Sequence, residues 1–277
     1  MGAAPTILLR DDAALRVFDT GQGGLPVVFQ HGLGGDAAQV AQNFPDGPSR
    51  RRLTVECRAQ GGSGAGSTRP FSIAMFADDA LAAADAAGLE RFVAGGISMG
   101  AAIALHLASR HPDRVLGLVL VRPAWAFDAA PQNMRPYVEV AELIRRLPLA
   151  EARDAFASSA TSARFRTKAP DNLASLLGFF TRQNATVFAE VMQAIANDGP
   201  GVTQAEAAGL AIPTLVVGCG IDLVHPLATA RDLAETIPNA AFAEVAPKAI
   251  DKDRHFAEIR AAIGGFLDRH FNNQDQS

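Results

Sequence analysis

Residues 91–111 read RFVAGGISMGAAIALHLASRH, an apolar run followed by a glycine-rich turn and a stretch rich in alanine and leucine. The pattern predicts a strand over Arg91–Gly95 and a helix over Met99–His111. The turn between them, Gly96-Ile97-Ser98-Met99-Gly100, has the form G-x-S-x-G, which presents a serine on a sharp strand-to-helix turn. Small residues are needed at its flanks because a Cβ there would collide with neighbouring backbone. Ser98 is therefore the candidate nucleophile, and the alternative is a glycine-rich turn with a capping serine.

Strand and helix patterns alternate on both sides of this turn. Further strands are predicted at Thr6–Arg10, Leu15–Asp19, Leu25–Gln30, Arg52–Glu56, Val115–Val121, Ile212–Val217 and Ala241–Val245,. Further helices are predicted at Ser72–Ala87, Leu227–Ile237 and about Asp253–Phe271,. This alternation is typical of an α/β fold, here a mostly parallel eight-stranded sheet with helices on both faces.

Strand signals are absent between the sixth and seventh predicted strands. Helical stretches occur there instead, at Val138–Leu147, Ala150–Ser159, Leu173–Phe180 and Thr186–Asn197. An insertion at this point would lie over the carboxyl ends of the strands, where open α/β sheets bind ligands. The sequence therefore predicts a core made of residues 1–122 and 210–277, and a helical lid (cap) made of residues 123–209.

Composition limits the kind of protein and its partners. Apolar residues make up 48% of the 277 and charged residues 19%, which is typical of a chain with a packed core and excludes a disordered one. The net charge of −4 provides no basic field for nucleic acid or an anionic membrane. No secretory h-region or membrane-length apolar run is present, so we expect a cytoplasmic protein with a small-molecule partner. The sequence carries no prediction of oligomeric state.

Two further motifs carry a family resemblance. His31-Gly32-Leu33-Gly34 follows the third strand, and Glu56-Cys57-Arg58-Ala59-Gln60-Gly61-Gly62-Ser63 follows the fourth. With the Ser98 turn, they resemble the α/β-hydrolase superfamily, and within it the lidded esterases, enol-lactonases and carbon–carbon bond hydrolases. The resemblance covers nearly the whole chain, strongest over residues 25–121 and weakest in the lid. Ala59 and Gln60 stand where the family has Gly and His, and we attach no catalytic role to that stretch.

The resemblance implies an oxyanion hole. Its donors would be the backbone N–H groups of Leu33 and Met99, with Met99 at a helix N-terminus where negative charge is stabilised. His31 would orient the loop. The family's strand order also separates the strands before Cys57 and Cys219, so we expect no disulfide between them and a reducing compartment.

The resemblance also indicates where the acid lies. Asp222 follows the predicted strand Ile212–Val217, and the family places its triad carboxylate in such a loop, in the chain order Ser, Asp, His. Asp128, after the sixth strand, is the fallback. An ordinary aspartate near a helix start at Pro226 is the non-catalytic alternative.

The base follows by elimination among six histidines. Five are set aside by position: His31, His106, His111, His225 and His270. His225 in particular follows Asp222 too closely, on this reasoning, for a ring held by the acid to reach Ser98. His255 remains, at the start of the last helix, although the family carries its base in the loop after the eighth strand, here Ala246–Ile250. Either that loop is lengthened, or the base has been lost.

The predicted function is a serine-dependent hydrolase that cleaves a small carboxyl ester or lactone through an acyl-enzyme, with no metal and no cofactor. Arg122 is a candidate clamp for a substrate carboxylate or an ion pair at the lid hinge. Trp125 is a candidate pocket residue, with the alternative that it belongs to the core, as is also open for Phe179, Phe180 and Phe188. A carbon–carbon bond hydrolase acting on a diketone-type substrate and a non-hydrolytic ligand-binding member stay open as alternatives.

Overall fold

The computed structural model describes residues 4–21, 23–45 and 47–271. Within these residues eight strands form one sheet in the order β1-β2-β4-β3-β5-β6-β7-β8. The strands are β1 Thr6–Arg10, β2 Ala13–Asp19, β3 Leu25–Gln30, β4 Arg50–Val55, β5 Phe92–Ile97, β6 Val115–Val121, β7 Thr214–Cys219 and β8 Ala240–Val245. β1 and β2 run antiparallel to their neighbours, and the other pairs are parallel. The predicted α/β fold with a mostly parallel sheet is confirmed.

Helices cover both faces of this sheet. They are α1 Ala37–Asn43, α2 Ile73–Ala86, α3 Met99–Arg110, α4 Arg135–Arg146, α5 Leu149–Ala157, α6 Ala160–Lys168, α7 Pro170–Gly178, α8 Ala185–Ala196, α9 Gln204–Ala208, α10 Leu227–Thr236 and α11 Lys252–Phe271. α1 and α11 contribute to one apolar cluster of the core, and α2, α3 and α10 contribute to the other. The central strand β5 is buried along its whole length, as expected for a strand with helices on both sides.

Helices α4 to α9 all lie between β6 and β7 in the chain. We call residues 123–209 the helical insertion. Its apolar side chains join the same cluster as α2 and α3, so the insertion packs on the core. α6 and α9 were not predicted, because α6 carries few apolar residues and α9 is only five residues long.

Two strand ends differ from prediction in ways that affect the site. β5 continues through the glycines to Ile97. Position 95 needs glycine because a Cβ there would lie 2.8 Å from the Phe29 ring. β7 begins at Thr214, after Pro213, and ends at Cys219. The segment between β7 and Asp222 is therefore only two residues long.

The two cysteines are free and buried. Cys57 follows β4 and Cys219 ends β7, with β3, β5 and β6 between those strands. Among the helices of the described residues, none combines the length and the apolar character that crossing a membrane requires.

Candidate active site

Ser98 stands on a strained turn between β5 and α3. Its backbone has φ +56° and ψ −109°, a conformation that non-glycine residues rarely adopt. A Cβ on Gly96 would lie 2.4 Å from the Gly100 carbonyl carbon, and one on Gly100 would lie 2.2 Å from the Gln30 carbonyl oxygen. The prediction that this turn needs small flanking residues is confirmed. The Ser98 N–H donates to the Val121 carbonyl (2.9 Å), so the turn is fastened to β6.

The loop from Gly220 to Pro226, between β7 and α10, folds back on itself. Ile221 has φ +54°, and the Asp222 carboxylate accepts hydrogen bonds from the backbone N–H groups of Val224 (3.1 Å) and His225 (2.9 Å). Such a side-chain-to-backbone turn is a common use of aspartate in loops. It brings the side chains of Asp222 and His225 next to each other.

His225 connects the carboxylate to the serine. Its Nδ1 lies 2.9 and 3.0 Å from the two oxygens of Asp222, and its Nε2 lies 2.8 Å from Ser98 Oγ. A neutral imidazole has one donor and one acceptor nitrogen. Nδ1–H therefore donates to Asp222, which leaves Nε2 to accept the Ser98 hydroxyl proton. The three side chains have the geometry of a carboxylate–imidazole–hydroxyl relay.

The prediction that His255 lies against Ser98 is wrong. His255 is in the first turn of α11 and fully buried, and its Nδ1 lies 2.7 Å from the Ala246 carbonyl oxygen. Its Nε2 has no hydrogen-bond partner among the described residues. The elimination failed because it treated three residues as too short a separation, whereas a tight turn makes residues i and i+3 neighbours. Burial lowers the pKa of His255, so it is a neutral core histidine at the base of the loop after β8.

Arg122 completes the surroundings of the acid. It follows β6, and its Nε donates to Asp222 Oδ2 (3.0 Å). Burial opposes ionisation of Asp222, but the attraction of His225 and Arg122 outweighs it and holds the pKa of this carboxyl well below its usual value,. Arg122 therefore forms an ion pair, one of its two predicted roles, and the partner is Asp222. It also lines the cavity at Ser98, and its role as a clamp for a substrate carboxylate stays a prediction. The fallback acid, Asp128, is exposed and lines a different groove.

The predicted pocket aromatics are mostly core. Trp125 is 2% exposed, its indole N–H donates to the Asp198 carbonyl (2.9 Å), and it does not line the cavity at Ser98. Trp125 therefore lies in the core, outside the lining of that cavity. Phe179 does line that cavity, whereas Phe180 and Phe188 are in the core.

His31 shapes the loop after β3. Its Nδ1 lies 2.8 Å from the Gly32 carbonyl oxygen, and its Nε2 accepts the Cys57 N–H (2.9 Å). Burial lowers the pKa of His31, which keeps the ring in the neutral form that these two bonds require. The ring thereby ties the loop after β3 to the loop after β4.

The amides of the same loop are nearly all engaged. The N–H of Gly32 donates to Gln39 Oε1 (2.7 Å), and that of Gly34 donates to Gln60 Oε1 (2.7 Å). The Leu33 N–H forms no hydrogen bond within the described part of the chain. Leu33 lines the cavity beside Ser98, and Met99 begins α3, where first-turn N–H groups have no partner in the helix. The two predicted oxyanion donors thus stay available, and their role stays a prediction.

A cavity of about 310 Å³ opens at Ser98 and His225, between the strands' carboxyl ends and the helical insertion. Among the described residues, its charged lining consists of three cations and one carboxylate: Arg122, Arg182, Lys248 and Asp171. Lys248 Nζ lies 3.0 Å from Asp171. Arg182 donates to the Gly34 carbonyl (2.7 Å) but has no carboxylate within ion-pair distance in the described ranges, and its buried Nε is unpartnered. Apart from Arg122, sequence reasoning did not single out these residues.

The sequence offers a hint of a functional position for Lys248 but none for Arg182. Lys248 lies in the loop after β8, where the family resemblance places the base, so a cation there could have been noticed. Arg182 lies between two helices of the insertion, and nothing in the sequence around it distinguishes it from a solvent-exposed arginine. No group of histidine, cysteine and carboxylate side chains in residues 4–21, 23–45 and 47–271 is suited to hold a metal ion.

We expect the acid limb of a pH–rate profile to report on His225. Burial lowers the pKa of His225, and the charges of Arg122 and Lys248 lower it further, against the opposing attraction of Asp222. A base must be neutral to accept a proton, so kcat/KM should hold down to pH 6.5, the ordinary histidine value, and fall only below it. Lys248→Met removes one cation and should move the midpoint to higher pH. An unmoved midpoint, or one above 6.5 in the unmodified protein, contradicts this assignment.

Comparisons with known proteins agree with this architecture. The chain is 29% identical over 238 residues to the "Putative carbamate hydrolase RutD" of Klebsiella pneumoniae (strain 342), covering 77% of this chain and 80% of that protein. It is 26% identical over 238 residues to the 2-hydroxymuconate semialdehyde hydrolase of Pseudomonas putida, covering 80% and 79%. The structure of the enol-lactonase from Burkholderia xenovorans LB400 matches with a TM-score of 0.67 and 24% identity over 94% of this chain and 96% of that one. A family model described as "alpha/beta hydrolase fold" matches residues 26–259, and the chain accordingly belongs to the α/β-hydrolase family.

Proposed function

We propose that this protein is a serine-dependent hydrolase that cleaves a small carboxyl ester or lactone through an acyl-enzyme, with Ser98, His225 and Asp222 as its relay. The observation that carries the proposal is the position of the His225 ring. One nitrogen lies 2.8 Å from Ser98 Oγ and the other lies 2.9 Å from Asp222 Oδ2. A serine hydroxyl is a weak nucleophile until a neighbouring base takes its proton.

The steps follow from that geometry. Ser98 Oγ attacks the carbonyl carbon as its proton passes to His225 Nε2, and the carbonyl π electrons move onto oxygen. The N–H groups of Leu33 and Met99 stabilise this oxyanion. The tetrahedral intermediate expels an alkoxide, which takes the proton from the imidazolium. Water then attacks the acyl-enzyme and gives its proton to His225. The second tetrahedral intermediate collapses, the bond between Ser98 Oγ and the acyl carbon breaks, and Ser98 Oγ takes the proton back from the imidazolium as the acid is released. Asp222 remains ionised and holds the ring.

The cavity supports a substrate that is small and carries a negative charge. Its volume of about 310 Å³ is at the small end of ligand sites. Lys248 is paired with Asp171, and Arg122 with Asp222, which leaves Arg182 as the cation without a carboxylate partner in the described residues. A substrate carboxylate would supply that partner in a charge-assisted hydrogen bond. The helical insertion acts as a lid in this proposal, because Asp171, Phe179 and Arg182 line the cavity from that side.

Carbon–carbon bond cleavage is the second candidate. The relative from Pseudomonas putida at 26% identity is named a 2-hydroxymuconate semialdehyde hydrolase, and a Ser–His–Asp relay can serve that reaction as well. A diketone-type acid would place its carboxylate on the same Arg182. The two candidates differ only in the group that leaves the carbonyl carbon.

A matched substrate pair tests the charge preference. The protein should hydrolyse the mono-p-nitrophenyl ester of glutaric acid with a higher kcat/KM than p-nitrophenyl butyrate. Arg182→Met should lower the ratio of the two kcat/KM values about 10- to 100-fold, the worth of one charge-assisted hydrogen bond. Arg166→Met, at an exposed arginine of the same insertion, is the control and should leave the ratio unchanged.

The panel also decides between the reactions. It includes a neutral lactone and a vinylogous diketone acid beside the two esters. Cleavage of the diketone acid at a higher kcat/KM than any ester or lactone would favour the second candidate. No turnover of any of them, together with saturable binding of glutarate, would favour the ligand-binding alternative. An equal effect of Arg182→Met on both esters would remove the proposed carboxylate contact.

A further inference from the structure

Both the acid and the base of the proposed relay come from one seven-residue loop, Gly220–Pro226. Ser98, in contrast, is fixed by the core through β5, α3 and the bond to Val121. The alignment of base with nucleophile therefore depends on what holds this loop. Two side chains of the helical insertion contact its backbone, Asn172 and Asn133.

Asn172 is in the first turn of α7 and is 5% exposed. Its Oδ1 accepts the N–H groups of Leu223 (2.8 Å) and Val224 (3.3 Å). These are the two peptide N–H groups between the acid and the base. The preceding residue, Asp171, pairs with Lys248 in the loop after β8 (3.0 Å), so the start of α7 is docked on two loops of the core at once.

Asn133 holds the next peptide unit, the one between Val224 and His225. Its Nδ2 donates to the Val224 carbonyl (2.7 Å) and to the Ala124 carbonyl (2.8 Å). Val224 immediately precedes His225, so its N–H and its carbonyl are both bonded to asparagines of the insertion. The two peptide units that flank Val224 are thereby each held in one orientation,.

We infer that Asn172 and Asn133 are positioning residues of the insertion that set His225 at hydrogen-bond distance from Ser98. The insertion then does more than cover the cavity, because two of its side chains hold the loop that carries His225. This inference rests on the proposed relay. A displacement of about 1 Å in such a relay costs on the order of 100-fold in rate. Asn133 does not line the cavity at Ser98, so its replacement should leave KM nearly unchanged,.

The test compares kcat and KM for p-nitrophenyl acetate across four variants. Asn172→Ala removes the acceptor and should lower kcat about 10- to 100-fold. Asn172→Asp keeps an acceptor oxygen and should recover most of that loss. Asn133→Leu removes the donor to the Val224 carbonyl and should also lower kcat. Asn197→Ala is the matched control, since within the described part of the chain its side-chain amide bonds only to the Gln193 carbonyl of the preceding helix, α8.

The readouts separate positioning from folding and from failure of the relay. Melting temperatures are measured for all variants, and fluorophosphonate labelling of Ser98 reports the nucleophile without a bound substrate. Labelling slowed in folded Asn172→Ala or Asn133→Leu, with rescue in Asn172→Asp, supports the inference. Wild-type kcat and labelling in both variants, or a change in KM alone, overturns it while leaving the relay intact. Labelling of the unmodified protein that does not depend on His225 overturns the relay itself.

Discussion

His225→Ala should lower kcat/KM for a small ester about 10⁴-fold, a typical cost of removing one member of a serine relay. The loss should appear mainly in kcat, because His225 exchanges a proton with Ser98 and the leaving group and contributes little to ground-state binding. The His225 ring is 10% exposed and hydrogen-bonded through both nitrogens. Alanine at this position leaves Ser98 Oγ without the nitrogen that would accept its proton. Steady-state kinetics on p-nitrophenyl acetate measure the effect.

His255→Gln is the matched control for that variant. It keeps an amide donor for the Ala246 carbonyl, which His255 Nδ1 holds at 2.7 Å. The folded variant should retain kcat/KM within about fivefold, because a core substitution that preserves its hydrogen bond acts mainly on stability. A loss near 10⁴-fold in His255→Gln, with His225→Ala close to the unmodified protein, would restore His255 as the base.

Ser98→Ala should abolish turnover, with kcat lower by about 10⁴- to 10⁶-fold. Alanine can hold the φ of +56° about as well as serine, so the melting temperature should change little. Without the hydroxyl no acyl-enzyme forms, and binding of a substrate acid such as glutarate should persist. Burst kinetics test for the loss of the acyl-enzyme, and calorimetric titration tests for the binding of glutarate. Turnover above about one tenth of the original rate would exclude Ser98 as nucleophile.

The strand-to-helix turn could be predicted because its signals are local. A buried strand, a glycine pair and a helix lie within about twenty residues, and the collision of a Cβ at Gly96 or Gly100 with backbone follows from that geometry alone. Asp222 was found for the same reason, since it comes directly after a strand. The fold class could be predicted as well, because the alternation of strands and helices is visible in the sequence,.

The position of His225 beside Asp222 and Ser98 could not be predicted, because it is decided by the path of a loop. The turn that places His225 beside Asp222 needs a left-handed Ile221 and two bonds from backbone N–H groups to the carboxylate. None of these has a pattern in the sequence. Arg182 and Asn172 lie in the helical insertion, where the family resemblance is weakest. Their importance appears only once the insertion is folded against the core.

Fluorophosphonate labelling measures whether Ser98 depends on His225 for its reactivity. The reagent is applied to the unmodified protein, His225→Ala and His255→Gln, the adduct is located by peptide mass spectrometry, and the rate of modification is followed. We expect an adduct on Ser98, formed at least about 10²-fold more slowly in His225→Ala and at an unchanged rate in His255→Gln. An adduct on another residue, or equal labelling of Ser98 in His225→Ala and the unmodified protein, would contradict this expectation.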